Sequence, residues 1–474
     1  MKIFRSVAFV IAISLLGGAA SCIRYTPRPV TAALVLDDFE SRRLDSSEFG
    51  AFLQKSQGWP WPLPSWNLES LTLAALYYHP DLDVARASWT TALAARITAG
   101  ERPNPTLSLL AGYNSTTPAA EITPWIPETS LEIPIETAGK RGYRVAEARE
   151  LSESARLNIL STAWEVRSRL RGAFLDDYSA RETAALLERQ RALQEENVRI
   201  LEAQLAIGEA AVPDVTQARL ALASSRLAAF DAAKQSAQAR IQLAAAVGVP
   251  LQAIEGVTLS FDGLLDARPD IPSREIRRRA LTSRTDILAA LSDFAAADAA
   301  LRLELAKQYP DLSLGPNFQL DQTDAKWTLG LSFVLPILNR NRGPIAEAEA
   351  KRTEASARFL ALQAKVIAEI DGAVASCRPA AEKAKAADDL LANLKRQEAS
   401  AKARYDLGEI SKLEFLGLEI EAVSSELARL DALVKCRQAV GELEDAMGIP
   451  IEGKDWLLKS PDRAAGPVKE RKHD

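Results

Sequence analysis

The sequence predicts a mainly α-helical protein that also carries four strands of a transmembrane β-barrel, and three observations lead to this fold class. The 474-residue chain contains two copies of one unit. Each copy has one helix that is far longer than a globular domain needs. Each copy also has two short segments in which apolar and polar residues alternate, as they do in barrel strands.

The duplication is visible as matching segments that keep the same order along the chain. Residues 105–109 match 310–314 at an offset of 205. Three later matches have an offset of 200: 145–148 with 345–348, Gly208-Glu209 with Gly408-Glu409, and 248–250 with 448–450. Collinear matches predict two repeats, 66–262 and 270–455, between an N-terminal arm and a charged tail at 456–474.

Each repeat is predicted to contain three helices, of which the middle one is the longest. They cover about 67–100, 141–207 and 212–247, and in the second copy about 273–307, 344–407 and 412–447. Gly208 and Gly408 mark the hairpin turns, and Gly-x-Pro ends each returning helix. At 1.5 Å per residue the long helix spans roughly 100 Å, and the two shorter ones match it when stacked end to end. Pro379 is expected to bend the second long helix.

Four strands are predicted between the helices, at about 105–115 and 128–136 and at about 311–321 and 326–336. In the second copy the alternation places apolar side chains on one face: Leu312, Leu314, Phe318, Trp327, Leu329, Leu331 and Phe333. Four strands cannot close a barrel, and open edges in lipid leave backbone groups unpaired. Symmetric homo-oligomerisation would close it. The alternative is a soluble four-stranded sheet with one face packed on helices.

The N-terminus has the pattern of an export signal, and residues 1–21 are predicted to be a signal peptide. Lys2 and Arg5 precede a short apolar run and a small-residue cleavage region. Cys22 follows, which resembles a bacterial lipoprotein signal and predicts lipidation of Cys22 at the start of the arm 22–65. The alternative is nearby cleavage that leaves Cys22 as an ordinary thiol. Ile23, rather than Asp, favours transfer to the outer membrane in such lipoproteins.

The composition argues against catalysis, cofactors, metal centres and nucleic-acid binding. The net charge is −5, with only three cysteines and two histidines. A histidine-centred triad or a His/Cys metal site is therefore hard to assemble. His79 lies before Pro80 at a predicted helix start, where a capping role is the simpler interpretation. The sequence predicts a protein that is not an enzyme.

Across nearly its whole length the chain resembles the TolC-type outer-membrane efflux channels. The resemblance rests on the duplication and on the segments 80–82 (PDL), 310–314 (PDLSL), 335–337 (LPI) and 339–343 (NRNRG). Residues 134–141 (PIETAGKR) are similar to the heavy-metal branch of that family. The resemblance implies a homotrimer with a twelve-strand barrel in the outer membrane and a helical tunnel in the periplasm.

Further implications of the resemblance concern partners and cargo. It implies a passive exit duct in a tripartite system, with a periplasmic adaptor and an inner-membrane pump, often of the resistance-nodulation-division class. Metal, drug and protein export all stay open. A periplasmic coiled-coil adaptor or scaffold lipoprotein is the alternative, but it would not need two repeats or amphipathic strand pairs. A lipid-anchored enzyme is a third reading, without a supporting motif.

The resemblance also assigns a gate to the hairpin turns at the periplasmic end. Asp214 matches the family's gate acid, which pairs with an arginine, but that arginine's position is Ile410. Lys412 or Arg404 is the expected substitute. Glu414 matches the first of two acids that ring the entrance, whereas the second position is Gly417. A ring of Glu414 carboxylates would favour cations.

Cys377 and Cys436 lie at comparable distances from the second hairpin turn, one on each helix. An antiparallel hairpin would bring them to a similar height along its axis. The periplasm is oxidising, so a disulfide is allowed if their Cα atoms come within about 7 Å. Two buried thiols are the alternative.

Overall fold

The computed structural model describes residues 25–27, 29–116, 123–262, 275–321 and 324–451. The predicted signal peptide 1–21, Cys22 and the tail 456–474 lie outside the described residues. The chain divides into two compact units after Arg43. In the first unit, Thr31 caps α1 (Ala32–Glu40) by accepting a hydrogen bond from the Leu34 amide at 3.4 Å.

The second unit begins at Leu44 and contains both repeats. Its elements before the second repeat are α2 (Ser47–Gln57), α3 (Leu68–Tyr78), α4 (Pro80–Gly100), β1 (Thr106–Tyr113), β2 (Trp125–Ile135), α5 (Lys140–Ala206), α6 (Val212–Val247) and α7 (Gln252–Glu255). Those that follow are α8 (Glu275–Ser283), α9 (Thr285–Ala306), β3 (Leu312–Asp321), β4 (Asp324–Phe333), α10 (Arg342–Asp406) and α11 (Lys412–Met447). The predicted duplication of elements is confirmed.

The long helices and their returning partners form two antiparallel hairpins, α5 with α6 and α10 with α11. Their bounds lie within two residues of the predicted ones. Gly208 and Gly408 make the turns with φ of +80° and +77°, a region in which a side chain would be strained. The second long helix continues through Pro379.

The first helix of each repeat was predicted as one piece, and this prediction was wrong. In the first copy α3 and α4 meet at His79, whose ψ of 125° is extended. Pro80 explains this break, because the residue before a proline avoids the helical region. In the second copy α8 and α9 meet at Arg284, with a ψ of 131°, although the next residue is Thr285. A proline is therefore not the shared cause.

Both breaks share a neighbour, the glycine that ends the returning helix of the same repeat. A Cβ atom on Gly248 would lie 2.9 Å from the His79 Cα, and one on Gly448 would lie 2.9 Å from the Arg284 Cγ. Both glycines have positive φ and cap the helix end. Each broken helix thus bends where the end of the returning helix packs against it.

Each repeat has its own hydrophobic core around this contact. In the first repeat, Phe49 of α2 packs with Leu71, Phe174 and Leu243, all almost fully buried. The predicted arm 22–65 is therefore part of the core from residue 44 onward. In the second repeat the core contains Ile287, Val366, Ile370 and Leu443.

The strands form one antiparallel sheet in the order β1-β2-β3-β4. The predicted alternation is confirmed, since Leu312 pairs with Phe333, Leu314 with Leu331 and Phe318 with Trp327. Every residue of β4 is exposed in the single chain, which contradicts the alternative of a sheet covered by helices. Within the chain, β1 and β4 are the edges of the sheet. No helix in the described part of the chain is long and apolar enough to cross a membrane.

Candidate functional site

The first hairpin tip is the predicted gate segment at the end of α5 and the start of α6. Asp214 is the third residue of α6 and is exposed. In the described part of the chain, no cationic group lies within 4.0 Å of its carboxylate. Nearby, Arg219 binds Glu202 across the hairpin at 2.6 Å. Asp214 therefore stays available to a group outside this chain.

The second tip is held together by aromatic packing. Tyr405 and Phe415 stack with ring centroids 5.5 Å apart, and Lys412 Nζ lies 5.3 and 5.0 Å from the two rings. Lys412 also lies 4.0 Å from Glu419. Ile410, at the position of the family arginine, is buried against Ala401 and Phe415. An arginine at 410 would need a different tip, so the apolar residue belongs to this packing.

The two cations expected to replace that arginine have partners within their own hairpin. Arg404 lies 3.5 Å from Glu409, and Lys412 has the rings and Glu419. Their pairing with Asp214 stays a prediction. Glu414 is exposed, and its amide donates to the Ser411 hydroxyl at 3.2 Å, which caps α11. The Glu414 ring also stays a prediction.

A buried ion network joins the two repeats, between α5 and α11. Arg167 and Arg171 bind the same Glu444 oxygen at 2.9 and 2.8 Å. Arg171 also binds Asp445 at 2.5 Å. Both arginines and Glu444 are buried, so each charge depends on its partners.

Neighbouring groups complete this network. Trp164 Nε1 donates to Asp445 at 3.0 Å, and the Arg171 guanidinium donates to the Gly441 carbonyl at 2.8 Å. A Cβ atom on Gly441 would lie 2.5 Å from Arg171 Nε, so only glycine leaves room for the guanidinium. The sequence alone did not predict this cluster, because charged residues on a long helix are expected to face solvent unless the helix that packs against them is known.

A second polar junction lies where the sheet meets the helices. Lys140 is buried, and its ammonium donates to the Tyr309 carbonyl at 2.6 Å and to the Asp311 carboxylate at 2.8 Å. The Thr137 amide donates to Asp311 at 2.8 Å. Burial raises the pKa of Asp311, but the hydrogen bonds from Lys140 and Thr137 outweigh it and hold the pKa below its ordinary value. The junction ties the first repeat to the start of β3.

Cys377 and Cys436 are thiols, so the disulfide that their spacing allowed is not formed in this structure. The Cys377 thiol is buried and donates to the Ala439 carbonyl at 3.1 Å. Burial raises the pKa of Cys377 to about 11, and the nearby Cys436 adds to the effect. Cys436 is half-buried rather than buried, and the pairing of the two cysteines stays a prediction. Within the described residues, no group of three or more His, Cys, Asp and Glu side chains could hold a metal ion.

Two long helical hairpins beside a four-stranded sheet with open edges define the fold class of the described chain. The outer membrane efflux protein family matches residues 72–249 and 276–449, which are the two repeats. The chain therefore belongs to the outer membrane efflux protein family. The family match covers both repeats and does not favour the alternative of a coiled-coil adaptor.

Individual relatives share only about a quarter of their residues with this chain over the matched segments. Over 234 residues the chain is 26% identical to the cobalt-zinc-cadmium resistance protein CzcC of Cupriavidus metallidurans, a match to 49% of this chain and 55% of CzcC. Over 365 residues it is 24% identical to the pyoverdine export outer membrane protein OpmQ of Pseudomonas aeruginosa, covering 71% and 74%. The chain thus spans about half the length of CzcC.

Solved channel structures share the fold. The Campylobacter jejuni CmeC outer membrane channel superposes with a TM-score of 0.66 at 17% identity, covering 90% of this chain and 94% of CmeC. At this identity the superposition establishes the shared fold.

Proposed function

We propose that this protein is the exit duct of a tripartite efflux system, in which three copies close one barrel and one tunnel. The observation that carries the proposal is the sheet, whose edges β1 and β4 stay open in a single chain. Its apolar face carries exposed side chains such as Leu107, Leu109, Trp327 and Leu329. Lipid would cover this face, but only pairing with other copies would satisfy the edges.

The helices support the same assembly. On α6 an apolar stripe is exposed at coiled-coil spacing, and it contains Leu220, Leu227, Phe230 and Ile241. This stripe lies opposite the face that α6 packs against α5, which contains Val215, Leu222 and Leu243. A helix with two apolar stripes needs two neighbours, and a second copy of the chain supplies the missing one.

The duct does no chemistry of its own in this proposal. A pump in the inner membrane, of the resistance-nodulation-division class, would supply the energy, and a periplasmic adaptor would bind the hairpin tips. Heavy-metal cations are the proposed cargo, because the name of CzcC describes cobalt, zinc and cadmium resistance and residues 134–141 resemble that branch. The exposed acids Asp214 and Glu414 at the tips suit a cationic cargo.

Two adjacent residues of β4 test the barrel. Leu329 is on the apolar face and Thr328 on the opposite face. Leu329→Asp would place a charge in lipid, whereas Thr328→Asp would place it inside the barrel. We expect the first variant to reduce the amount of protein in outer-membrane fractions and the second to retain it. Equal tolerance of both variants would contradict the barrel.

Gene deletion tests the duct and its cargo separately. Cells without the protein should accumulate cobalt, zinc or cadmium, and the wild-type gene should reverse this. If the deletion strain accumulates organic drugs but its metal content does not change, the proposed metal cargo is wrong and the proposed duct still stands. No change in either class of compound would overturn the duct itself.

A further inference from the structure

Three charged residues form a triad where the two repeats meet, nearer the hairpin tips than the buried network. Arg189 of α5 binds Glu426 of α11 at 3.2 Å. Lys395 of α10 binds the other oxygen of Glu426, also at 3.2 Å. Glu426 is thus held by one cation from its own hairpin and one from the other repeat.

The equivalent positions at the offset of 200 carry the opposite charges. Glu426 corresponds to Arg226, Lys395 to Glu195, and Arg189 to Asp389. The pair within the hairpin is already formed, since Arg226 binds Glu195 at 2.7 Å. Asp389 is exposed, and within the described residues no cationic group lies within 4.0 Å of it.

The surface around Arg226 is the copy of a surface that is buried elsewhere in the chain. On α11 a stripe that continues from the α5 contact at Gly441 and Glu444 is buried: Val423, Leu430, Val434, Arg437 and Gly441. Its equivalents on α6 are all exposed: Ala223, Phe230, Lys234, Ala237 and Ile241. The α6 stripe is therefore missing the long helix that covers its copy.

We infer that α10 of a neighbouring copy covers this stripe and that its Asp389 binds Arg226 across the subunit boundary. This inference rests on the proposed homo-oligomer and adds the residues that set its register. The contact would repeat the contact of α5 with α11, with α10 in the place of α5 and α6 in the place of α11. Asp389, Arg226 and Glu195 would then form a second triad. Each of its residues has the opposite charge to its equivalent in the first triad.

The reversal of charge has a consequence for assembly. If α5 of one chain met α6 of another, Arg189 would face Arg226, and like charges repel. If α10 met α11 of another chain, Asp389 would face Glu426, which is equally unfavourable. Only the alternation of first and second repeats around the ring places opposite charges together, so the triads specify the order of repeats.

Thiol cross-linking tests the contact directly. In a background with Cys377→Ser and Cys436→Ser, the variant Arg226→Cys with Asp389→Cys is treated with a short bismaleimide in native membranes. We expect covalent multimers up to three chains on denaturing gels. The matched control is Arg189→Cys with Glu426→Cys, which should cross-link within one chain and leave the mass of a monomer.

Charge exchange provides the second measurement. Asp389→Arg alone should reduce the fraction of intact oligomer in detergent, since it faces Arg226. Arg226→Glu with Glu195→Lys and Asp389→Arg should restore it. If oligomers form and the control pair reacts, but residues 226 and 389 do not cross-link, this inference is wrong. The proposed channel would still stand. A folded monomer would overturn both.

Discussion

The returning helices α6 and α11 are copies of one another, yet one is covered on two sides and the other on one. Leu430 of α11 is 6% exposed, whereas its equivalent Phe230 of α6 is 73% exposed. The hydrophobicity of the side chains does not explain this difference in exposure, because the exposed Phe230 is larger and more apolar than the buried Leu430. The difference comes from position in the chain: among the described residues the first repeat covers α11, and in the proposed assembly another molecule covers α6.

Two contacts are compared as seams: the contact of α5 with α11 within the chain, and the proposed contact of α10 with α6 of a neighbouring copy. They also differ in chemistry. The seam within the chain contains buried charges, including Glu444 between Arg167 and Arg171. At the matching positions of α6 stand Ala244 and Ala245. Within one chain, fixed geometry keeps buried ions next to their partners, whereas the α6 positions equivalent to Glu444 and Asp445 carry no charge.

The largest effect is expected from Glu444→Ala. The change leaves Arg167 and Arg171 buried without their shared carboxylate, which costs about 3–5 kcal/mol of unfolding free energy. Thermal denaturation in detergent measures it. The control Glu414→Ala changes an exposed acid and should alter the unfolding free energy by less than about 0.5 kcal/mol. Equal effects of the two variants would contradict the network.

A pair of truncations at equivalent positions comes next. Leu430→Ala should lower the unfolding free energy of the chain by about 2–5 kcal/mol, because it opens a cavity in a seam that the chain itself closes. Phe230→Ala should leave the folded chain intact and reduce the fraction of oligomer. Circular dichroism and analytical ultracentrifugation separate the two effects. Loss of fold in Phe230→Ala would show that α6 is covered within the chain.

Two helical glycines should respond with opposite signs. Gly441→Ala places a methyl group against the Arg171 guanidinium, which its partners hold in place, and should destabilise by about 1–3 kcal/mol. Gly417→Ala has no heavy atom within 4 Å of the new Cβ and should stabilise α11 by about 0.5–1 kcal/mol. Melting temperatures of the two variants, measured side by side, test the difference in sign.

The smallest effect concerns acid stability at the base of the sheet. The pKa of Asp311 is lowered, so its contribution is present above its ordinary pKa and is lost as the pH falls through the lowered value. Because Asp311 is half-exposed, the contribution should be under about 1 kcal/mol. Asp311→Asn should therefore be less stable than the wild type at pH 7, and this difference in unfolding free energy should shrink as the pH falls below the ordinary pKa of an aspartate. An unchanged difference across this range would contradict the assignment.

The sequence predicted most of the elements because each has a local signal. Repeated glycines located the turns and caps at Gly208, Gly248, Gly408 and Gly448, and the alternation of apolar residues located the strands. The broken first helices were missed, since no proline or other local signal marks the break at Arg284, which lies beside Gly448 of a distant helix. The buried network was missed for the same reason, because Arg171 and Glu444 meet only after two helices pack.

The hairpin tips, where a gate is proposed, were the least predictable part of the site. The resemblance identified Asp214 and Glu414, but nothing local predicted that Ile410 packs under Phe415 or that Lys412 lies over two aromatic rings. In the proposed trimer, contacts between chains would decide which groups Asp214 meets, and the local sequence pattern does not encode such contacts. The proposed contact between α10 and α6 of neighbouring copies is easier to infer, because the contact of α5 with α11 within the chain provides a model for it.

Native mass spectrometry of the folded protein in detergent tests the central claim most directly. We expect an assembly of three chains, because three four-stranded sheets would close the barrel and the exposed stripe of each α6 would receive a neighbouring α10. A folded protein that stays monomeric, with the open edges of β1 and β4 tolerated in detergent, would contradict it.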